Sequence, residues 1–403
     1  MSKLSISENE IKQLILKYLN THKEEVNICN ELGWSPIHLV ARNSRRLNLT
    51  DILIPLIECG ADVNSQNTDW TPLMMACCFI EDSNYETVSL LLKYGANANL
   101  QNINGFTALM LACSKGDYMV VKMLVDYGAD VNIQNNFGLT ALLIACKNST
   151  KMMEIVKILL DHGANVNLQD NNGYTPLMIC CANNSCDSNE TVKSLLEYGS
   201  DVNIQCKNKW SALMIACRHY SMINNGKNIE LLLEYGSDTN LQDIRGLTPL
   251  MIICQTSYGN VNKCKIIEMI LNNGANINLK DIDGFTALMM ACKFGCNNHE
   301  VINLLLKRGA DVNLQNVNGI TSLSIACYYK RDINIILTLL DYGTDYLTIN
   351  RFGKTQLHYI VKYVTDVYRL KKIINRICEI RHYRVCMDKI IKEFHQDSIA
   401  DTI

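Results

Sequence analysis

Proline is scarce, with five residues in 403. Four of them (Pro36, Pro72, Pro176, Pro249) stand in one recurring local setting. An excess of either charge is also missing: 38 basic against 40 acidic residues leave −2, which offers no global field for nucleic acid or anionic lipid. No apolar run reaches the ~20 residues that a membrane helix requires. Residues 1–8 lack the apolar core of a secretory signal, so an intracellular, cytoplasmic protein is expected. The 18 cysteines fall well below the ~8–10% of disulfide scaffolds, and reduced thiols are the expectation for an intracellular chain. What is abundant is apolar residue, at 48%, which excludes a long disordered protein.

The apolar residues are arranged in an internal repeat, which is sought first because it decides the fold. Gly-x-Thr-(Pro/Ala)-Leu-Met occurs at Gly105, Gly173 and Gly284, with variants beginning at Gly33, Asp69, Gly138, Lys209, Gly246, Gly319 and Gly353. The ten starts are 36, 36, 33, 35, 36, 37, 38, 35 and 34 residues apart. Between them lies Leu-Leu-x-x-Gly-(Ala/Ser)-(Asp/Asn)-Val-Asn, as at Leu305 to Asn313. From its glycine to the next Thr or Ser the count is 12 in eight of nine cases, the exception being Gly60 to Thr71 at 11. All other variation falls inside the repeat. One connection is therefore geometrically fixed and the other is a tolerant loop.

Each unit reads as two short helices. Thr107 is an N-cap candidate, followed by the Ala or Pro that suits a first helical turn. Leu109, Met110 and the Ala112-Cys113 pair give the first helix its apolar spacing. Met119, Val120, Met123 and Leu124 mark the second, and Gly128 ends it. The fixed linker from Ala129 to Gly138 reads as an extended finger rather than a strand. Pro55 falls inside a second helix, where it removes an i to i−4 bond.

These residues resemble the ankyrin repeat over residues 8–360. The resemblance implies an all-α solenoid of stacked helix–turn–helix units with finger loops, binding partners along the fingers and inner helices. Methionine stands in place of the consensus His at Met74, Met110, Met178, Met214, Met251 and Met289, with only His38 and His358 retained. Cysteine replaces the second Ala at Cys77, Cys113, Cys146, Cys181, Cys217, Cys254, Cys292 and Cys327. Met-Ala-Cys helices, Asn-Leu-Gln fingers and 45 asparagines are further similar to the ankyrin proteins of giant amoeba-infecting, mimivirus-like viruses. That likeness implies a host cytoplasm and a host-protein partner.

The expected organisation is an N-terminal half-repeat cap over residues 1–32, opened by the Ser5-x-x-Glu8 capping box. Nine repeats follow over 33–352, starting near 33, 69, 105, 138, 173, 209, 246, 284 and 319. A final partial repeat and C-terminal helical cap occupy 353–403. Residues 351–403 carry 11 Lys+Arg and 6 Asp+Glu, and solenoid ends need polar caps. A docking segment is the alternative, in an adaptor whose C-terminal basic helices recruit a ubiquitin-ligase component or other effector. The opening of an F-box-like module is not seen.

No catalytic constellation stands out. Gly353-Lys354-Thr355 mimics a P-loop tail but lacks the glycine five residues earlier, at Thr348. Cys292/Cys296/His299 and Cys378/His382/Cys386 hold metal-ligand residue types without the paired C-x2-C spacing of a zinc site. The in-register cysteines should lie ~10 Å apart by helix packing, too far for disulfides. No cofactor, metal or enzymatic activity is expected.

The finger positions are more informative. Between Gly and Thr the series reads Trp34, Trp70, Phe106, Leu139, Tyr174, Trp210, Leu247, Phe285, Ile320 and Lys354. It contains all 3 tryptophans of the chain. Tip positions add Leu32, Ile103, Phe137, Lys207, Ile244, Arg245, Ile282 and Phe352. Aromatic-rich patches of this kind are typical of interface hot spots, although the same side chains could pack between fingers. Trp34, Trp70, Phe106, Phe137, Tyr174, Trp210, Arg245 and Phe285 are the candidate partner-binding residues. The expected protein is a non-catalytic, monomeric scaffold with a protein partner of unspecified identity and no nucleic acid or membrane.

Overall fold

A computed structural model describes residues 13–14, 17–19, 21–31, 33–43, 50–66, 69–78, 85–147, 152–183, 188–220, 226–256, 260–294 and 298–381. They form two compact units, residues 1–201 and 202–403. Among the described residues there are helices and turns, one isolated antiparallel bridge (Ile349–Thr355), and no strand.

In the first unit, a short 3-10 turn (Lys23–Glu25) precedes five helix pairs: α1 (Pro36–Asn43) with α2 (Thr50–Glu58), α3 (Pro72–Cys78) with α4 (Tyr85–Lys93), α5 (Ala108–Lys115) with α6 (Tyr118–Asp126), α7 (Ala141–Lys147) with α8 (Met152–Asp161), and α9 (Pro176–Ala182) with α10 (Ser188–Glu197). The second unit repeats the scheme: α11 (Ala212–Arg218) with α12 (Lys227–Glu234), α13 (Pro249–Gln255) with α14 (Asn260–Asn272), α15 (Ala287–Phe294) with α16 (His299–Lys307), α17 (Ser322–Tyr328) with α18 (Ile333–Asp341), and α19 (Gln356–Tyr363) with α20 (Val367–Arg381). Within each unit, first helices stack on first helices and second on second.

The two rows bury differently, as their sequences require. Along α5, Ala108, Leu109, Met110, Leu111, Ala112 and Cys113 are all buried, because the helix is apolar on every side and covered on every side. Helix α6 is amphipathic: Val120, Val121, Leu124 and Val125 are buried while Met119 is exposed. Thr107 caps α5 by accepting from Met110 N–H at 3.3 Å. Thr71, Thr140, Thr175, Ser211, Thr248, Thr286 and Thr355 do the same for their helices at 3.1–3.4 Å. Thr321 departs from the pattern. Its hydroxyl donates instead to Gln356 Oε1 at 2.7 Å, as Ser324 also does. Gln356 occupies the buried position that Pro, Ala or, after Thr321, Ser322 fills elsewhere, and its carbonyl must be satisfied there. Helix α2 runs through Pro55 to Glu58.

The fingers are held by side-chain bridges that explain the asparagine excess. The last Asn of each Asp-Val-Asn segment donates Nδ2–H to the carbonyl of the next repeat's helix-ending glycine. Its Oδ1 accepts the N–H two residues beyond that glycine. Asn132 thus reaches Gly163 O (3.1 Å) and Asn165 N (2.7 Å). Asn27, Asn64, Asn99 and Asn167 repeat the arrangement in the first unit. Asn203, Asn240, Asn278 and Asn313 repeat it in the second. Two residues further on, glutamines form a parallel line. Gln101 Nε2 donates to Gly105 O at 2.7 Å and Gln134 O at 3.0 Å. Gln134 does likewise toward Gly138 and Gln169, and Gln242 toward Gly246 and Lys280. The first repeat adds a histidine to this set: the His38 ring nitrogens meet Ser35 Oγ (2.8 Å), Ser65 O (3.1 Å) and Trp70 O (2.8 Å).

Burial of the His38 ring depresses its pKa, against the raising effect of its hydrogen bonds to the Trp70 and Ser65 carbonyls. The neutral ring is thus favoured in the folded state. Its contribution is present above the ordinary ~6.5 of an unfolded histidine and lost as pH falls through the lower folded value. Hydrogen-exchange protection of α1 should therefore drop as pH falls from 7 to 5, after correction for intrinsic exchange. In a His38→Met variant, which carries the residue found at this position in other repeats, that dependence should vanish.

Candidate partner-binding face

Most of the described finger tips are tight turns closed by an Asx side chain. Asn102 Oδ1 accepts from Asn104 N–H (3.1 Å) and Phe106 N–H (2.8 Å). Asn135, Asp170, Asp243, Asp281, Asn316 and Asn350 hold their own tips in the same way. Neighbouring tips are joined by backbone bonds such as Asn136 N–H to Asn104 O, at 3.0 Å. The finger bearing Trp210 is built differently. Cys206 replaces the Asx residue, and Lys209 replaces glycine at a left-handed φ of 58°. Asp69, before Trp70, is likewise left-handed at φ 73°.

The candidate residues occupy two kinds of position. Trp34, Trp70, Phe106, Tyr174, Trp210 and Phe285 are half-buried rather than freely projecting. Trp34 carries the Arg42 guanidinium 4.7 Å above its ring, and Phe285 carries the Lys293 ammonium at 5.0 Å. Phe106 meets Phe137 of the next finger in a tilted pair 6.4 Å apart. Arg245 is exposed and lies 3.6 Å from the buried Asp243 carboxylate. Leu247, from the same series, is buried. The side chains that project are at the tips: Ile103 is 75% exposed and Phe137 55% in the first unit, and Ile282 65% and Phe352 64% in the second. Ile244 and Val317 are exposed alongside them. The structure therefore brings together Phe106 with Phe137, and spaces the other candidates one finger apart within each unit.

The in-register cysteines line the first helices as buried thiols, with no disulfide among the described residues. Burial pushes the Cys254 and Cys292 thiols up to about 12 and lifts Cys77, Cys113, Cys181 and Cys327 far above the ordinary range. One contact lies outside the even spacing expected of the in-register set. Cys180, one residue before Cys181, hydrogen-bonds the Cys146 thiol, and this bond together with burial raises its pKa. The thiolate is the reactive form, so alkylation of native protein at pH 8 should spare the buried thiols. It should reach only half-buried ones such as Cys29, Cys59 and Cys78. Denaturation without reductant should then release close to all 18. Mass spectrometry after iodoacetamide treatment reads both numbers, and recovery of far fewer thiols would show disulfides. Among the described residues no cluster of three or more His, Cys, Asp or Glu is placed to hold a metal. Cys296, His382 and Cys386 lie outside the described residues.

Two features escaped the sequence reading. Lys263 is 1% exposed and donates to Thr256 O (2.7 Å) and Cys254 O (3.3 Å) at the end of α13, while burial lowers its pKa. A cation at a helix C-terminus complements the backbone dipole. Nothing in the run Asn260-Val261-Asn262-Lys263 separates a buried lysine from an exposed one. The second feature is a groove of about 240 Å³ in the second unit, whose lining includes Tyr328, Tyr329, Tyr359 and Tyr363. The sequence does carry a signal there, since Tyr328-Tyr329 follows Ala326-Cys327 where Ser114-Lys115 follows Ala112-Cys113.

Known proteins bear out the repeat. A family model described as ankyrin repeats (3 copies) matches residues 5–102, 44–135, 109–206, 185–281, 220–316 and 258–350. Human BCL-6 corepressor-like protein 1 is 36% identical over 104 residues, covering 26% of this chain and 5% of that protein. Its mouse counterpart is 37% identical over 103 residues. "Putative ankyrin repeat protein L86" of Acanthamoeba polyphaga mimivirus is 35% identical over 107 residues, 24% of this chain and 19% of that protein. The matches thus span a small part of each relative. No described helix is long and apolar enough to cross a membrane.

Proposed function

Because the chain belongs to the ankyrin-repeat family, whose repeats are in general protein-interaction modules, we propose that it is a non-catalytic scaffold holding a protein partner along its fingers and inner helices. The observation that carries this is the arrangement of projecting apolar tips, Ile103 and Phe137 in one unit and Ile244, Ile282 and Phe352 in the other, with half-buried aromatics behind them. Buried aromatic anchors with exposed apolar neighbours concentrate binding energy. The partner is a host protein, a reading supported by the mimiviral relative. The protein acts as a monomer in the host cytoplasm and does not bind nucleic acid, since residues 1–350 carry 27 basic against 34 acidic residues (38 − 11 and 40 − 6), a surplus of acid that opposes phosphate contacts.

Residues 1–32 and 353–403 act as caps. Leu370, Ile373 and Ile377 of α20 are buried in a helix that packs on α18, while Val367 and Tyr368 face solvent. Affinity capture from host lysate tests the binding face. Trp70→Ala, Phe106→Ala and Trp210→Ala should each weaken retention at least tenfold with helicity preserved, whereas Asn183→Ala should be near neutral. Normal retention by all three aromatic variants would place binding on another side.

A further inference from the structure

We propose that the tyrosine groove of the second unit is the anchor pocket for an acidic peptide segment, receiving one aromatic side chain flanked by carboxylates. This rests on the protein-binding reading and assigns a ligand chemistry to one part of that face. The groove lies between the finger of Phe285, the end of α17 and the face of α19. Tyr328 and Tyr363 meet edge to face with centroids 5.1 Å apart, and Tyr359 adjoins Tyr363 at 6.0 Å. Tyr359 is held by Asn350, whose Nδ2–H donates to its hydroxyl at 2.8 Å. Ile320 contributes an apolar wall. At about 240 Å³ the space is smaller than the ~300–1,000 Å³ of pockets for drug-sized ligands, and it suits an inserted side chain. Rings that meet at their edges leave faces and edges open to a further ring.

Charge selects what flanks that side chain. Aromatic boxes also attract cations, but here the protein's own cations already lie on the rings. Lys293 Nζ is 5.0 Å from the centroids of both Phe285 and Phe294, and Lys362 Nζ is 5.8 Å from that of Tyr363. Arg331 covers Tyr329 at 5.5 Å while donating to the Cys292 and Lys293 carbonyls. No described carboxylate lines the groove. Asp281 interacts electrostatically with Lys293, and its Oδ1 accepts from the Asp283 and Phe285 N–H groups. Neither Lys293 nor Lys362 forms a salt bridge with a described carboxylate. A cationic ligand meets repulsion, and an anionic one finds the Lys293 ammonium in the lining and that of Lys362 beside the lining ring of Tyr363.

Fluorescence anisotropy of the full chain with three labelled pentapeptides tests this. Glu-Glu-Trp-Glu-Glu should bind at least tenfold more tightly than Glu-Glu-Ala-Glu-Glu or Lys-Lys-Trp-Lys-Lys, and its binding should weaken as salt is raised. Tyr328→Ala, at an exposed position, and Lys362→Glu should each weaken it at least fivefold with unchanged circular dichroism. Equal or tighter binding of the lysine peptide would overturn the proposal in favour of a cation cage. Equal binding of the alanine peptide, indifference to both variants, or no binding of the tryptophan peptide at 1 mM would overturn it outright. Trp70→Ala, in the other unit, should leave peptide binding intact. The peptide assay can therefore fail while lysate capture succeeds, and the reverse.

Discussion

Replacing Gly105 by alanine should cost about 2–4 kcal/mol, the sum of a left-handed backbone penalty and overpacking. At Gly128 the same change should cost only about 1 kcal/mol. Both glycines have positive φ, 79° and 84°, so the conformational term is shared. The difference is what a side chain would meet. A Cβ on Gly105 would lie 2.7 Å from Asn136 N and 2.8 Å from Asn135 Cα, both backbone of the next finger. On Gly128 it would meet nothing within 4 Å. The backbone of the Asn136 finger cannot retreat without breaking its bond to Asn104 O. Hydrogen exchange at Asn136 and in the following finger is the direct readout, because opening in stacked repeats is local. Equal losses at the two sites would show that finger contact adds nothing to backbone strain.

The second large effect concerns the asparagine bridges. Asn132→Ala removes a donor to Gly163 O and an acceptor for Asn165 N–H, and should destabilise the joint by about 2 kcal/mol at the usual worth of two hydrogen bonds. Asn132→Asp keeps the acceptor but sets a carboxylate against the Gly163 carbonyl, so it should not recover full stability. Denaturant melts of the two variants, with hydrogen exchange at Asn165, separate the terms. If the aspartate variant is as stable as the parent, the donated bond contributes nothing.

The helices and their caps were legible from the residues because the responsible chemistry is local. Thr107 and the amide it caps are three residues apart, and Gly128 directly ends its own helix. The constant glycine-to-threonine count showed a rigid finger for the same reason. Bonds that leave the repeat were harder to see. The Asn and Gln side chains were visible as a composition, yet their direction toward the following finger depends on stacking. Thr321 illustrates the limit: its N-cap spacing is intact, but a buried Gln356 35 residues away takes its hydroxyl. At the candidate face, the aromatic series between glycine and threonine was legible as a set. Its depth was not, since half-burial of Trp70 or Trp210 is decided by neighbouring elements. The tyrosine groove needed two repeats to be assembled before its four rings could be seen as one surface.

The asparagine bridge has a bearing on how such a chain can change in length over generations. Its two ends are separated by as few as 29 residues at Asn99–Gly128 and as many as 34 at Asn240–Gly274. The joint nevertheless uses the same two groups on either side. Whatever is inserted between paired helices is invisible to it. Duplication or deletion by misaligned recombination between any two copies therefore yields a product whose junction is already chemically complete. Families of paralogues differing in copy number are the natural outcome, with novelty confined to the side chains that each copy presents.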